Sequence, residues 1–191
     1  MGIQRSEFQD PKQQVPVQAS FNLNGNFRTE VITILNTTLA DEAVLITKTR
    51  NAHWNVRGPR FSEWRTLFED HAKQIDSISA EISKRTWVLG GRPISSLNEI
   101  IYISRLKETP PNHLDFLDLA NTHDEIIQYL NMDAKQCTGL YKDAVTCDFL
   151  LMILFRHEKM VSALRSALKN EPNRGQQILE VSHHELSTSR E

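Results

Sequence analysis

His53-Trp54-Asn55-Val56-Arg57-Gly58-Pro59 is the stretch on which the fold turns. It closes an amphipathic pattern covering about residues 26 to 56. There Val31, Ile34, Leu35, Thr38, Leu39, Glu42, Leu45, Ile46, Thr49 and His53 recur at the 3.6-residue period of a helix. Gly58-Pro59 cannot continue that helix. A second pattern follows at about 62 to 89, through Trp64, Leu67, Phe68, Ile75, Ile78, Ile82, Val88 and Leu89, and stops at Gly90-Gly91.

Working outward, a short helix is expected over about 95 to 106. A third long helix is expected over about 113 to 142, through Leu114, Leu117, Leu119, Ile126, Ile127, Leu130 and Leu140. A fourth, over about 146 to 169, runs through Leu150, Ile153, Leu154, Met160, Val161, Leu164 and Leu168, with Thr146 as its N-cap. Pro59, Pro93, Pro110, Pro111 and Pro172 all fall between these segments, as helix interiors require. No stretch alternates like a strand bounded by hairpin turns. The pattern therefore predicts an all-α four-helix bundle with a short helix between long helices 2 and 3. Residues 25–170 form the bundle, and 1–24 and 171–191 read as polar tails.

The 191 residues, 39% hydrophobic and 24% charged, suit one soluble domain. The longest apolar run, Phe149 to Phe155, is too short to cross a membrane, and the polar N-terminus carries no signal peptide, so a cytoplasmic protein is expected. Met1-Gly2-Ile3-Gln4-Arg5-Ser6 formally fits a myristoylation pattern, a match that short sequences often make by chance. Cys137 and Cys147 lack paired metal or redox spacing and read as free thiols. A formal net charge of −2 argues against generic attraction to DNA phosphates.

Four motifs in order resemble the Dps family of mini-ferritins: His53-Trp54-Asn55-Val56-Arg57-Gly58, Leu89-Gly90-Gly91, Thr146-Cys147-Asp148-Phe149-Leu150-Leu151 and His157-Glu158-Lys159. The likeness spans about residues 39 to 168. It implies a ferritin-like bundle assembled into a hollow shell of twelve subunits that stores iron and protects against peroxide. Fe²⁺ is its cargo, peroxide or oxygen its oxidant, and no organic cofactor is expected. In that family iron is oxidised between two subunits, by ligands matching His53 and positions 65, 69, 80 and 84. Here those four positions are Arg65, Glu69, Ala80 and Lys84.

Arginine and lysine present only donors and cannot ligate a metal. The resemblance therefore implies a degraded ferroxidase centre at Arg65, Ala80 and Lys84. Charged pairs would replace it: Glu69 against Lys84 of the partner subunit, and Lys73 opposite Asp76 of the partner subunit. The pattern is similar to the light chains of animal ferritins. His53 reads either as a remnant ligand with Glu69 or as an imidazole satisfied by a backbone carbonyl or a carboxylate, and the neighbouring cations favour the second. Trp54 reads as core or interface packing, and Trp64 and the Ile94, Ile100 and Ile101 stretch read as apolar residues exposed on a lone bundle and buried between subunits.

Other acidic residues keep possible iron roles by the same resemblance. Asp143 and Asp148 match the family's threefold iron-access pore, with helix N-terminal charge complementation as the plain alternative. Glu69 and Asp70 match its mineral-nucleating inner wall. His157, Glu158 and Lys159 read as packing and salt bridging. His71, His113, His123, His183 and His184 suggest no ligand set. The only Glu-x-x-His spacing, Glu180 to His183, lies in the C-terminal tail, which argues against a di-iron site inside one bundle. Tail cations are few, Arg5, Lys12, Arg174 and Arg190, against Glu171, Glu180, Glu185 and Glu191, so strong DNA binding is not expected. Two alternatives stay open: an active ferroxidase rebuilt from His53, Glu69 and Asp76, and a structural or DNA-associated shell without iron chemistry.

Overall fold

The computed structural model describes residues 25–107 and 116–170. The expected tails, His113, and the Glu180–His183 spacing lie outside these residues. The described chain forms α1 (Gly25–Asn55), α2 (Phe61–Val88), α3 (Leu97–Ile103), α4 (Phe116–Gly139) and α5 (Ala144–Lys169), with no strand among the described residues. Four long helices and one short helix in the middle connection stand where the periodicity puts them. No helix among the described residues is long and apolar enough to cross a membrane.

Short turns make two helical hairpins. α1 packs chiefly on α2 and α4 on α5, and the hairpins meet through α1 with α4 and α2 with α5. α2 ends in a closed C-terminal turn in which Gly90 N–H donates to Trp87 O (2.8 Å) and Gly91 N–H to Thr86 O (3.0 Å). Gly90 has φ +79°, the left-handed conformation that this closure needs. Gly91 passes so close to α1 that a Cβ there would sit 2.7 Å from Ile32 Cγ2.

The connection to α3 is held by side chains acting as backbone. Asn36 Nδ2 donates to Arg92 O (3.1 Å), and Asn36 Oδ1 accepts from Ile94 N–H (3.3 Å). Ser96 and Glu99 then form a reciprocal capping box at the start of α3.

Beyond α3, Arg105 enters a buried ionic cluster. Its Nε and a terminal nitrogen reach Asp41 Oδ2 on α1 at 2.9 and 2.8 Å, and the other terminal nitrogen reaches Asp133 Oδ2 on α4 at 2.9 Å. Asp41 Oδ1 also accepts from Arg105 N–H (2.7 Å) and Ser104 Oγ–H (3.0 Å), and the guanidinium lies 4.3 Å from the Tyr129 ring centroid. Burial pushes the Asp133 carboxyl up, and Arg105 opposes that shift.

Three packing expectations need correction. Trp64, read as exposed on a lone bundle and therefore an interface residue, is 2% exposed and packs on Phe68 and Phe116, with ring centroids 5.5 and 4.6 Å away. Ile94 is buried and Ile100 half-buried, so only Ile101 of the three isoleucines expected on the surface is fully exposed. Thr146 does not cap α5. The cap is Asp143, whose Oδ1 accepts from Thr146 N–H at 2.9 Å.

Arg105→Met should destabilise the protein by about 3–5 kcal/mol, because it strands Asp41 as an uncompensated buried charge beside Asp133. Urea unfolding followed by helical circular dichroism checks this, and a loss below about 1 kcal/mol would count against the cluster as a stabilising unit.

Candidate metal-handling sites on the bundle surface and in its core

The surface site is one face of α2 and the end of α1. Arg65, Glu69, Lys73, Asp76, Ala80 and Lys84 are all exposed, as their three- and four-residue spacings predict for one helix face. His53 is half-buried, and its ring Nδ1 lies 3.1 Å from Arg65 O. A carbonyl only accepts, so Nδ1 carries the hydrogen and Nε2 the lone pair. Structural and metal-ligating imidazoles share this arrangement.

Glu69 is engaged within its own chain: Lys73 Nζ lies 2.8 Å from its Oε1, one turn along the same helix. That contact, with smaller contributions from His53 and Arg65, holds the Glu69 carboxyl below its usual range. Glu69 and Asp76 stand two turns apart, roughly 10 Å along the axis, and Lys84 lies about 22 Å from Glu69. Within one chain, His53, Glu69 and Asp76 therefore do not converge, and no group of three or more His, Cys, Asp or Glu among the described residues surrounds a metal position.

The other acidic positions separate by burial. Asp148, near the start of α5, and Asp70, on α2, face solvent. Asp143 is buried, caps α5 and pairs with Arg85 at 3.3 Å. It is a capping acid, as the helix-terminus reading expects. Trp54 is 71% exposed and contributes nothing to the core of a single chain. Both cysteines are free, and burial pushes the Cys137 thiol up to about 12, which leaves it inert.

The core holds a cluster that the sequence analysis missed. Glu42 on α1, His71 on α2, His123 on α4 and His157 on α5 are each at most 2% exposed. His157 Nε2–H donates to Glu42 Oε1 at 2.9 Å, and His157 Nδ1 lies 3.0 Å from His123 Nδ1. The His71 ring meets His123 edge-on at 6.0 Å between centroids. Burial lowers the His71 pKa to about 4, with Asp70 opposing and His157 adding to the shift. Burial lowers His123 further, helped by His157 and His71. His71 and His123 thus meet in the core, although no three donors among the described residues surround one point, and His157 pairs with Glu42 within the packing and salt bridging expected of it.

The signal was available. Each of the four occupies an interior position of its helix: Glu42 between Leu39 and Leu45, His71 between Phe68 and Ile75, His123 between Leu119 and Ile126, and His157 between Ile153 and Met160. A polar residue at a core position has to be satisfied by something.

Comparison with known proteins fits this geometry. Residues 32–173 match the family model described as a ferritin-like domain. A DNA protection during starvation protein of Bacillus anthracis is 37% identical over 149 residues, covering 73% of this chain and 97% of that protein. An uncharacterized low temperature-induced protein of Nostoc sp. is 31% identical over 157 residues, covering 80% of this chain and 88% of that protein. In structure, an archaeal Dps homologue from Halobacterium salinarum superposes with a TM-score of 0.76 at 17% identity, over 90% of this chain and 98% of that one, which speaks to the fold alone. The fold and the matched span define a ferritin-like protein. Within that class, the chain belongs to the Dps family of mini-ferritins.

The neutral core imidazoles make the metal-free protein acid-labile. His71 and His123 take up protons in the unfolded chain near pH 6.5 but resist them when folded, so stability is full above about 6.5 and falls as pH drops toward 4. His71 alone accounts for about 3 kcal/mol over that window. Urea midpoints at pH 7.5, 6 and 5 should decline stepwise, and less steeply in His71→Gln. Parallel curves for the two proteins would contradict this assignment.

Proposed function

We propose that this protein is a cytoplasmic mini-ferritin that stores iron and limits peroxide damage, with fast iron oxidation at the intersubunit position lost. The observation that carries this reading is the chemistry of the exposed α2 face. Arg65 stands beside the half-buried His53, Ala80 and Lys84 hold the positions on the same face that the expected antiparallel pairing turns toward a second copy, and Glu69 is already paired with Lys73. An Fe²⁺ ion there would meet one imidazole and one occupied carboxylate. Each unit of like charge at about 4 Å adds roughly 4 kcal/mol of repulsion per charge on the ion at an effective dielectric of about 20. A two-ligand site does not overcome that. Oxidation then proceeds slowly by O₂ or peroxide, and mineral grows on inner carboxylates such as Asp70.

Assembly into a twelve-subunit shell is part of the same reading. Trp54, Phe61, Trp87, Met152 and Phe155 are large exposed apolar side chains, and burying them between copies removes patches that a lone bundle would present to water. Strong DNA binding is not part of it.

In an anaerobic Fe²⁺ titration followed by oxidant, the wild-type shell should show no rapid saturable phase. The triple substitution Arg65→His, Ala80→Asp and Lys84→Glu should create one, because it supplies three ligands and removes two cations. Lys84→Ala alone should not, since it adds no donor. A fast phase in the unmodified protein that His53→Ala abolishes would establish the rebuilt ferroxidase instead.

Asp148 supplies the second measurable element. As the solvent-facing acid at the start of α5, it concentrates Fe²⁺ at the shell's pores by focusing the local field. Asp148→Asn should slow iron loading severalfold with assembly intact, most clearly at low ionic strength. Unchanged loading across ionic strengths would remove Asp148 from the path.

A further inference from the structure

Three polar atoms in the core cluster have no hydrogen-bond partner although fully buried: Glu42 Oε2, His71 Nδ1 and His123 Nε2. They come from α1, α2 and α4, and each belongs to a side chain at most 2% exposed. Buried polar groups left this way call for an ion or a water. The hydrogen-bond network indicates which. In the tautomers where His157 Nε2–H donates to Glu42 Oε1 and His123 Nδ1–H donates to His157 Nδ1, His123 Nε2 is left with a bare lone pair. His71 Nδ1 is bare in the tautomer that keeps its hydrogen on Nε2. A carboxylate oxygen at Glu42 Oε2 likewise presents only lone pairs. The three atoms are then all lone-pair donors and cannot satisfy one another. One water has two hydrogens for three acceptors, whereas one cation accepts from all three.

We propose that the core of each bundle binds a single divalent first-row transition metal through Glu42, His71 and His123, with His157 as the positioning residue. Two imidazoles and one carboxylate select the Fe²⁺, Co²⁺ or Zn²⁺ class over Mg²⁺ or Ca²⁺, which prefer all-oxygen sites. The 6.0 Å between the His71 and His123 ring centroids suits two imidazoles sharing one ion at metal–nitrogen distances of about 2.0–2.1 Å. As the side chains stand, no three donors surround one point. Metal binding therefore draws Glu42 Oε2 and the two rings inward by rotation about their side-chain bonds. His157 bridges Glu42 and His123, the outer-layer role that orients ligands in metal sites. This site is separate from the α2 face and independent of the function proposed for that face.

The test uses the intact shell, stripped with a chelator, in the His53→Ala background so that the surface histidine is silent. Anaerobic Co²⁺ titration, run to equilibrium because the site is buried, should reach one ion per subunit with a visible d–d absorption band that Zn²⁺ competes away. His71→Gln should remove the band and weaken affinity more than 100-fold. His157→Gln should weaken it about 10–100-fold and shift the band while keeping one ion per subunit. Glu42→Gln should match His71→Gln. Should Glu42→Gln fail to fold, His71→Gln decides, because it leaves the hydrogen bonds joining Glu42, His157 and His123 in place. Absence of a band in the parent protein, or a band of full strength in His71→Gln, would overturn the proposal and leave water as the core's occupant.

Discussion

The hydrogen bond between Glu42 and His157 joins α1 to α5, helices that otherwise pack mainly on other partners. Most of the bundle is ordinary apolar burial, with Leu35, Leu45, Phe68, Ile75, Ile78, Leu130, Leu150 and Ile153 closing the layers above and below. Apolar contact is tolerant of register, because one methyl group serves nearly as well as another. A carboxylate and three imidazoles are not tolerant. The Glu42–His157–His123 contacts exist only when α1, α4 and α5 stand at one rotation and one height. The polar core therefore specifies a single arrangement, and it concentrates the strongest physical demands of the molecule in one place.

Periodicity revealed the helices and concealed the cluster for the same reason. The apolar stripes and the proline and glycine punctuation set the long helices to within about three residues where both ends are described, since backbone hydrogen bonding leaves few alternatives to a 3.6-residue pattern. The core cluster brings one residue from each of four helices. No short spacing along the chain records that, and only the bundle makes neighbours of positions 42, 71, 123 and 157. Glu42 was visible as a charge inside an apolar stripe, yet its partner stands 115 residues away. Trp64 was misread because its neighbour Phe116 belongs to a different hairpin. The cap of α5 was misplaced by three residues because Thr146 and Asp143 both carry capping oxygens. The structure gives that role to Asp143, which also neutralises Arg85.

Charge separates the surface from the core. On the α2 face, Lys73 and Glu69 are both well exposed, and a pair of that kind adds little to stability because water screens it. Its consequence is chemical: it occupies the one carboxylate on that face nearest to His53. Arg105 represents the opposite case. Its two aspartate partners are buried, so the pairing is held by the penalty for breaking it.

A protein built to oxidise iron at its surface needs ligands there that water can reach, and a fold can carry such ligands at little expense in stability. A buried set of imidazoles is different, because it weakens the native state across the acid range and returns nothing unless something binds. The apolar alternative was available at each of these positions, in a bundle whose remaining layers are leucine, isoleucine and phenylalanine. Replacing Glu42, His71, His123 and His157 together with apolar residues of similar volume would remove the three unpartnered buried side-chain atoms found among the described residues. The cluster is therefore weak evidence for stability, and its three unpartnered atoms fit the imprint of a ligand.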